Sequence, residues 1–330
     1  MSNDVLARAE QLRGERTPFV LATVVRAQRP TSAKAGDRAI VLADGTIEGF
    51  VGGACAESTV RVEGMRLLAG GSSTLLRITP VEGEAEVRDE PAEAGLVVVG
   101  NPCLSGGTLD IFLEAMRPAA LLQVVGTAPI ARALAELAEA AGYAVARPTD
   151  PTTPIRPDTA AVVVASHGRD EAAVLTAALR AGVPYVGLVA SPRRGTAVLA
   201  ELDLPEELRA RVRTPAGLDH GDRTAVDVAI SILAELVTLG ADRRPARGPA
   251  SSGLGSDASA ASEPTTEDGA SAAPGSARAE RVPTSADPVC GMTVAAVPAS
   301  LQLEHDGQIR YFCGPGCRQA FADDPDRYAA

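Results

Sequence analysis

From residue 120 to residue 191 the chain alternates unbroken apolar runs with stretches of helical spacing, and this constrains its fold more than any other feature. The runs "ALLQVVG" (120–126), "YAVARPT" (143–149), "TAAVVVAS" (159–166) and "YVGLVAS" (185–191) predict strands. Between them "APIARALAELAEAAG" (128–142) and "DEAAVLTAALRAG" (170–182) predict helices, and "TAVDVAISILAELVTL" (224–239) predicts a closing one. A strand without polar alternation needs cover on both faces, and crossover helices supply it. The expectation is an α/β chain whose residues 119–240 form a doubly wound parallel, Rossmann-like sheet. Ligands of such sheets sit at the carboxyl ends of the strands.

Those ends carry the polar groups. Gly126-Thr127-Ala128-Pro129-Ile130-Ala131 reads G-x-A-x-x-A, one glycine short of the dinucleotide fingerprint. Gly126 provides the tight turn, whereas Ala128 stands where a second glycine would let backbone approach a pyrophosphate. A dinucleotide, another phosphate-bearing ligand and a plain scaffold all remain open readings. "SHGRD" (166–170) places His167 and Arg169 at one strand end, and "SPRRG" (191–195) places Arg193 and Arg194 at the next. "PAGLDHGDRT" (215–224) adds Asp219. Arginine forks and helix N-termini suit phosphate, so these residues are candidate cofactor contacts. The plainer reading makes them solvated loop charges and helix caps.

Residues 1–118 read as an α+β domain: a polar amphipathic helix at the start, a strand over 18–27 and a hairpin over 38–51 around Asp44-Gly45. A helix (54–71), a strand (73–78), an acidic loop (81–94) and strands at 96–100 and 108–116 follow. Two cysteines stand in glycine turns here. Cys55 follows Gly52-Gly53 at a helix start, where the macrodipole favours thiolate. Cys103 lies in "GNPCLSGG" beside Gly106 and Gly107. They read either as a shared soft-ligand or sulfur-handling pair or as small buried apolar groups.

Residues 241–285 are Ala, Ser, Gly, Pro and charge, a disordered linker by composition. It tethers a last block, 286–330, in which Cys290, Cys313 and Cys317 are spaced C-x22-C-x3-C. With His305 they could form a tetrahedral metal site, which would stabilise so short a chain. The alternative is a small fold on Phe312, Phe321 and Tyr328 with inert or disulfide-capable thiols.

The formal charge of -11 opposes non-specific nucleic-acid or anionic-lipid binding. No run of about 18 apolar residues predicts a membrane span. The polar, acid-containing N-terminus does not read as a signal peptide. Five cysteines without an export signal point to reduced thiols in the cytoplasm.

"TVVRAQRPTSAKAGDRAIVLADGTIEGFVGGACAES", "GNPCLSGGTLDIFLEA" and the block "VASHGRD…YVGLVASPRRG…PAGLDHGDRTAVDVAISILAELV" resemble the XdhC/CoxI family over about residues 15–240. The tail "DPVCGMTV…YFCGPGC" resembles a YHS domain, a module linked to metal binding. The first resemblance implies a maturation protein more than a turnover enzyme. Such a protein carries the molybdenum cofactor, supports exchange of its oxo ligand for sulfido, and hands it to an apo xanthine dehydrogenase or carbon monoxide dehydrogenase. A cysteine desulfurase as sulfur donor and a homodimer fit the same resemblance. Cys55 or Cys103 would then meet the molybdenum or the sulfido exchange, Gly52, Gly53, Gly106 and Gly107 would admit a flat pterin, and the strand-end arginines would hold its phosphate. Two rival functions stand beside it: an NAD(P)-dependent oxidoreductase built on the α/β block, and a metal-trafficking or sensing protein acting through a divalent metal in the tail.

Overall fold

A period of two in the first long strand decides the layering of the N-terminal region. In the computed structural model, residues 2–70, 72–80, 95–101, 107–150, 152–218, 224–239 and 282–328 are described. The chain divides into two units, Met1–Pro118 with Pro245–Ala330, and Ala119–Arg244.

The first unit opens with α1 (Ser2–Gly14) and β1 (Phe19–Gln28), then β2 (Arg38–Leu42) and β3 (Ile47–Gly49). α2 (Ala54–Gly70), β4 (Thr74–Pro80), β5 (Leu96–Asn101) and β6 (Thr108–Met116) follow. The six strands form one sheet in the order β3-β2-β1-β6-β4-β5. All neighbours are antiparallel except β4 and β5. Along β1, Val20, Ala22 and Val24 enter the main core, while Phe19 and Leu21 face the other side. There Val5, Ala9 and Leu12 of α1 cover them, at the i, i+4, i+7 spacing of one helical stripe. α2 covers the main face through Ala56, Val60 and Leu67.

The C-terminal module belongs to the same unit. It consists of β12 (Thr284–Ala286), β13 (Thr293–Ala295), β14 (Leu301–His305), β15 (Gln308–Phe312), α8 (Pro315–Asp323) and a 3-10 turn (Pro325–Arg327). β12–β13 and β14–β15 are antiparallel pairs. Asp306-Gly307, both at positive φ, turn the second pair, as a two-residue hairpin requires. Phe321 of α8, fully buried, packs on Phe312, with ring centroids 5.5 Å apart.

The module rests on α2. Val62 and Met65, on the helix flank away from the sheet, share a cluster with Ala295, Val297 and Val282. Two turns before Val62, Cys55 packs against the cluster of Met292, Val294 and Cys313. α2 therefore carries two apolar stripes and is buried on two sides, which explains why its sequence shows no single polar face.

The second unit contains β7 (Leu121–Val125), α3 (Pro129–Ala140), β8 (Ala144–Ala146), β9 (Thr159–Val164) and α4 (Glu171–Arg180). β10 (Tyr185–Leu188), α5 (Pro192–Glu201), α6 (Glu206–Arg209), β11 (Val212–Arg213) and α7 (Ala225–Thr238) complete it. Its sheet, in the order β11-β10-β9-β7-β8, is parallel throughout. Leu134 and Ala138 of α3 with Ile232 and Leu236 of α7 cover one face. Val174, Leu175 and Ala178 of α4, joined by Val198 and Leu199 of α5, cover the other. This is the doubly wound, Rossmann-like arrangement expected from the alternation. The strand order reverses beside β7, which puts the ligand crevice of such folds at the carboxyl ends of β7 and β9.

Several elements differ from the sequence reading. Residues 192–201 form α5, started by Pro192 at its first position and by Ser191, whose side chain accepts from the Arg194 N–H. The strand read over 143–149 is only Ala144–Ala146, because it is a sheet edge paired to β7 alone. The last block holds a hairpin, β14–β15, that ends at Phe312, and α8 follows from Pro315. Thr284 and Ser285, read as linker, pair with β13. Linker residues 241–281 and the acidic loop 81–94 lie outside the described residues.

Candidate functional sites

A buried carboxylate organises the C-terminal thiols. Asp287, 1% exposed, begins the "DPVC" turn. Its Oδ1 accepts the N–H of Val289 at 2.9 Å and of Cys290 at 3.4 Å. Its Oδ2 accepts the N–H of Cys313 at 2.8 Å, across from β15. One carboxylate thus ties the turn to the strand end and brings their thiols together. Cys290 Sγ lies 3.5 Å from Cys313 Sγ, which lies 3.7 Å from Cys317 Sγ in the first turn of α8. One ligand atom from each of Asp287, Cys290, Cys313 and Cys317 falls within 4.8 Å of all the others. Tetrahedral zinc with Zn–S bonds of about 2.3 Å has S···S edges of about 3.8 Å, so this donor set fits a small soft cation.

The thiols are unequal. A hydrogen bond from Cys313 leads the effects that lower Cys290 to about 7, against the cost of its burial. Cys313, bonded to that thiolate and buried, is pushed up. Burial, then the nearby Asp287 charge, pushes Cys317 up to about 12. His305, expected as fourth donor, is not part of the cluster. Its ring meets Phe321 edge-on, centroids 5.4 Å apart, and its Nε2 lies 3.5 Å from Asp306 Oδ2. β14 turns it toward the aromatic core, and Asp287 takes the fourth place. The signal for Asp287 was its position three residues before Cys290, where an Asp side chain commonly closes a turn on following N–H groups.

Cys55 stands in the first turn of α2, as its glycine turn implies. Gly52 has φ +140, and a Cβ there would crowd Ala56 and Leu109, so the turn needs glycine to enter the helix. Gly53 is exposed with open space around it, while Gly107 packs against the Pro30 carbonyl. Cys55 is disulfide-bonded, which corrects the expectation of a reduced thiolate there. A thiol favoured as thiolate is also readily drawn into a disulfide. Cys290, Cys313 and Cys317 are free. Burial raises Glu57, a turn-mate of Cys55, although the Arg61 charge opposes it. Cys103 and Gly106 lie outside the described residues.

In the second unit the expected strand-end loops meet at one edge. Gly126, at φ +126, lies so close to the Ala165 carbonyl oxygen that a Cβ would collide with it. The β7 and β9 ends therefore touch through bare backbone. α3 begins immediately after, with Pro129 near its start and no side-chain cap on its first N–H groups. Ala131 is fully buried against the sheet, as the third position of the motif requires.

Glu171 organises the neighbouring loop and was missed by sequence reasoning. It is 4% exposed, and its Oε1 accepts the Gly168 N–H at 2.8 Å and the Ser166 hydroxyl at 3.2 Å. Its Oε2 pairs with Arg194. Burial works to raise Glu171, but these donors outweigh it and hold the carboxyl low. Arg194 thus makes an internal ion pair. His167, Arg169 and Arg193 are exposed beside it, and His167 and Gly168 take positive φ to shape the turn. Asp219 lies outside the described residues. No helix among the described residues is long and apolar enough to cross a membrane.

Residues 12–79 match the XdhC and CoxI family, residues 122–236 the XdhC Rossmann domain, and residues 285–330 the YHS domain. Protein YqeB of Escherichia coli (strain K12), whose function is uncharacterized, is 27% identical over 267 residues, covering 72% of this chain and 46% of its own. The molybdenum cofactor insertion chaperone PaoD of the same strain is 26% identical over 263 residues, covering 67% of this chain and 83% of its own. The chain thus spans less than half of the first relative and most of the second. A solved structure of a xanthine dehydrogenase from Bacillus halodurans aligns over 74% of this chain and 98% of that one, at 16% identity and a TM-score of 0.34.

Proposed function

The chain belongs to the XdhC and CoxI family and carries a C-terminal YHS domain, and from that premise we propose that it binds the molybdenum cofactor as cargo and inserts it into a molybdenum hydroxylase. The observation that carries this reading is the pairing of both XdhC segments in one chain with a relative that is itself an insertion chaperone for this cofactor. Chemistry at the second unit supports it. The cargo is a phosphate-bearing pterin with a dithiolene-bound metal. The uncapped start of α3 offers backbone N–H groups to an anion at the switch point of the sheet. Arg169 and Arg193 add positive charge nearby, while Glu171 and Arg194 fix the loop that carries them. Sulfido exchange, with a cysteine desulfurase as donor, and a client of the xanthine or carbon monoxide dehydrogenase type are the finer parts of this proposal.

A nicotinamide is a weaker fit, since Ala128 occupies the position of the second fingerprint glycine. The tail has its own reading. Three sulfurs and one carboxylate at tetrahedral spacing favour a bound divalent metal such as zinc.

The test of the main reading is retention. The full-length protein is mixed with molybdenum cofactor, gel-filtered and assayed for pterin. The expected result is about one pterin per chain, with Arg193→Ala and Arg169→Ala weakening retention. No retained pterin, together with unchanged client activity in a strain lacking the protein, would reject the reading. Titration with each nicotinamide cofactor, and metal analysis of the purified chain, decide the other two.

A further inference from the structure

The candidate metal donors of the C-terminal module are also residues with which it meets α2. Cys290, Cys313 and Cys317 belong, with Met292, Val294 and Tyr311, to the cluster on which Cys55 packs in the first turn of α2. Gly314 follows Cys313, and a Cβ placed on it would lie 3.3 Å from the Ala54 Cβ. The fourth donor, Asp287, is buried and reaches both parts of that surface. It accepts the N–H groups of Val289 and Cys290 in the thiol turn, and that of Cys313 at the end of β15. Further along α2, Val62 and Met65 are covered by Ala295 and Val297 of the same module. None of the four donors takes part in that second contact. Docking therefore has one half of plain apolar residues and one half built from the donors themselves.

We propose that metal binding and docking of the module are one coupled equilibrium: the loaded module holds to α2, and loss of the ion loosens it and uncovers Val62 and Met65. The physical basis is the shape of the docking surface. It is made of two chain segments, the thiol turn and the start of α8 with the strand end before it. An ion bonded to donors from both segments fixes their spacing more tightly than hydrogen bonds do. A surface held at one spacing fits the first turn of α2, and a loosened one must be ordered again each time it docks. Coupling between two sites is reciprocal. The first turn of α2 therefore strengthens metal binding by the factor by which metal strengthens docking, although α2 contributes no ligand. Metal occupancy is thereby turned into the cover or exposure of an apolar patch on the first unit. The proposal rests on the reading that the four donors hold a divalent metal, and it is independent of the cargo reading.

Surface labelling and zinc titration of the full chain test both directions of the coupling. The protein is stripped with chelator under argon, and zinc is returned to one half of the sample and counted. Both halves are exposed to a photoactivated diazirine, which inserts into exposed side chains, and the α2 peptide is read by mass spectrometry. Labelling at Val62 and Met65 should rise in the stripped protein and fall again on zinc binding, with β1 and β6 labelled alike in both. For the reverse direction, Met65→Asp weakens docking from the α2 side and leaves every donor and the whole module sequence intact. Its zinc affinity, measured by competition, should fall roughly tenfold, within the usual range of coupling between two sites. Val297→Asp, from the module side, should show the same fall, and together the two variants guard against a folding defect in either one. Labelling of Val62 and Met65 that ignores stoichiometrically bound zinc would overturn the proposal and leave the metal reading standing. Wild-type zinc affinity in both variants would overturn it as well. Failure of the wild type to take up any zinc would remove the metal reading and this proposal with it, and the zinc count separates that result from the other two.

Discussion

Replacing Asp287 by Asn changes one atom in a side chain that is 1% exposed, yet it breaks the seam between the thiol turn and β15. The carboxylate accepts N–H groups on both oxygens, from Val289 and Cys290 on one and from Cys313 on the other. An amide has a single acceptor oxygen. If that oxygen keeps the turn, the NH2 group faces the Cys313 N–H, donor against donor. A hydrogen bond to a charged group contributes about 1.5–3 kcal/mol, and a buried N–H left unpaired costs about as much. A local loss of about 2 kcal/mol is therefore a low figure, equivalent to roughly 30-fold in an opening equilibrium. The Cys313 amide reads it directly. Hydrogen exchange of the full chain should show that amide exchanging roughly 30-fold faster in Asp287→Asn, with β1 and β6 amides unchanged. Zinc uptake by the chelated protein should weaken in parallel, since the donors are no longer held at one spacing. An unchanged Cys313 exchange rate would refute the claim that Asp287 organises the cluster. Unchanged exchange with lost zinc uptake would instead make it only a ligand.

Three further outcomes follow from the same structure. Gly126→Ala should lower the melting temperature of the Ala119–Arg244 unit by a loss of about 2–4 kcal/mol, since the new Cβ meets the Ala165 carbonyl at a positive φ; a melting curve like the wild type would refute the close approach. Zinc affinity should fall steadily as pH is lowered, because Cys313 and Cys317 are raised and the metal must displace their protons; competition titrations at several pH values measure the slope, and a flat profile would contradict thiolate ligation. Asp110 is held below its ordinary 3.8, first by the hydrogen bond from Arg77. Its stabilisation is complete above that value and is lost as pH falls through the lower native value, so Asp110→Asn should flatten the acid arm of the first unit's stability curve.

The second unit was the most legible part of the chain. Its strands have no polar alternation, and only a doubly covered sheet can bury them, so the alternation of runs fixed both class and layering. β8 and α5 were read poorly for a local reason. An edge strand has one partner to define its ends, and "SPRRG" looks like a loop until Ser191 caps the helix it begins. The candidate sites were legible through their unusual residues, cysteines and glycines, and less so through the carboxylates that hold them. Asp287 and Glu171 look like ordinary surface acids in the sequence. Each is buried because it collects N–H donors from both sides of a turn, and that is a property of the tertiary contact. Arg194 was assigned to a ligand for the same reason: its partner Glu171 lies 23 residues away in the chain. His305 was chosen for its chemistry, but the pleat of β14 directs it to Phe321.

The two-sided burial of α2 has a consequence for anyone who shortens this protein. Val62 and Met65 are 3% and 8% exposed only because the C-terminal module lies over them. A chain ended after the second unit would present them to water as a greasy ridge beside Cys55. Such a ridge seeks any apolar neighbour, including the same ridge on another molecule. Self-association measured on the shortened chain would then report the missing cover, and the native oligomeric state must be read from the protein with its tail attached.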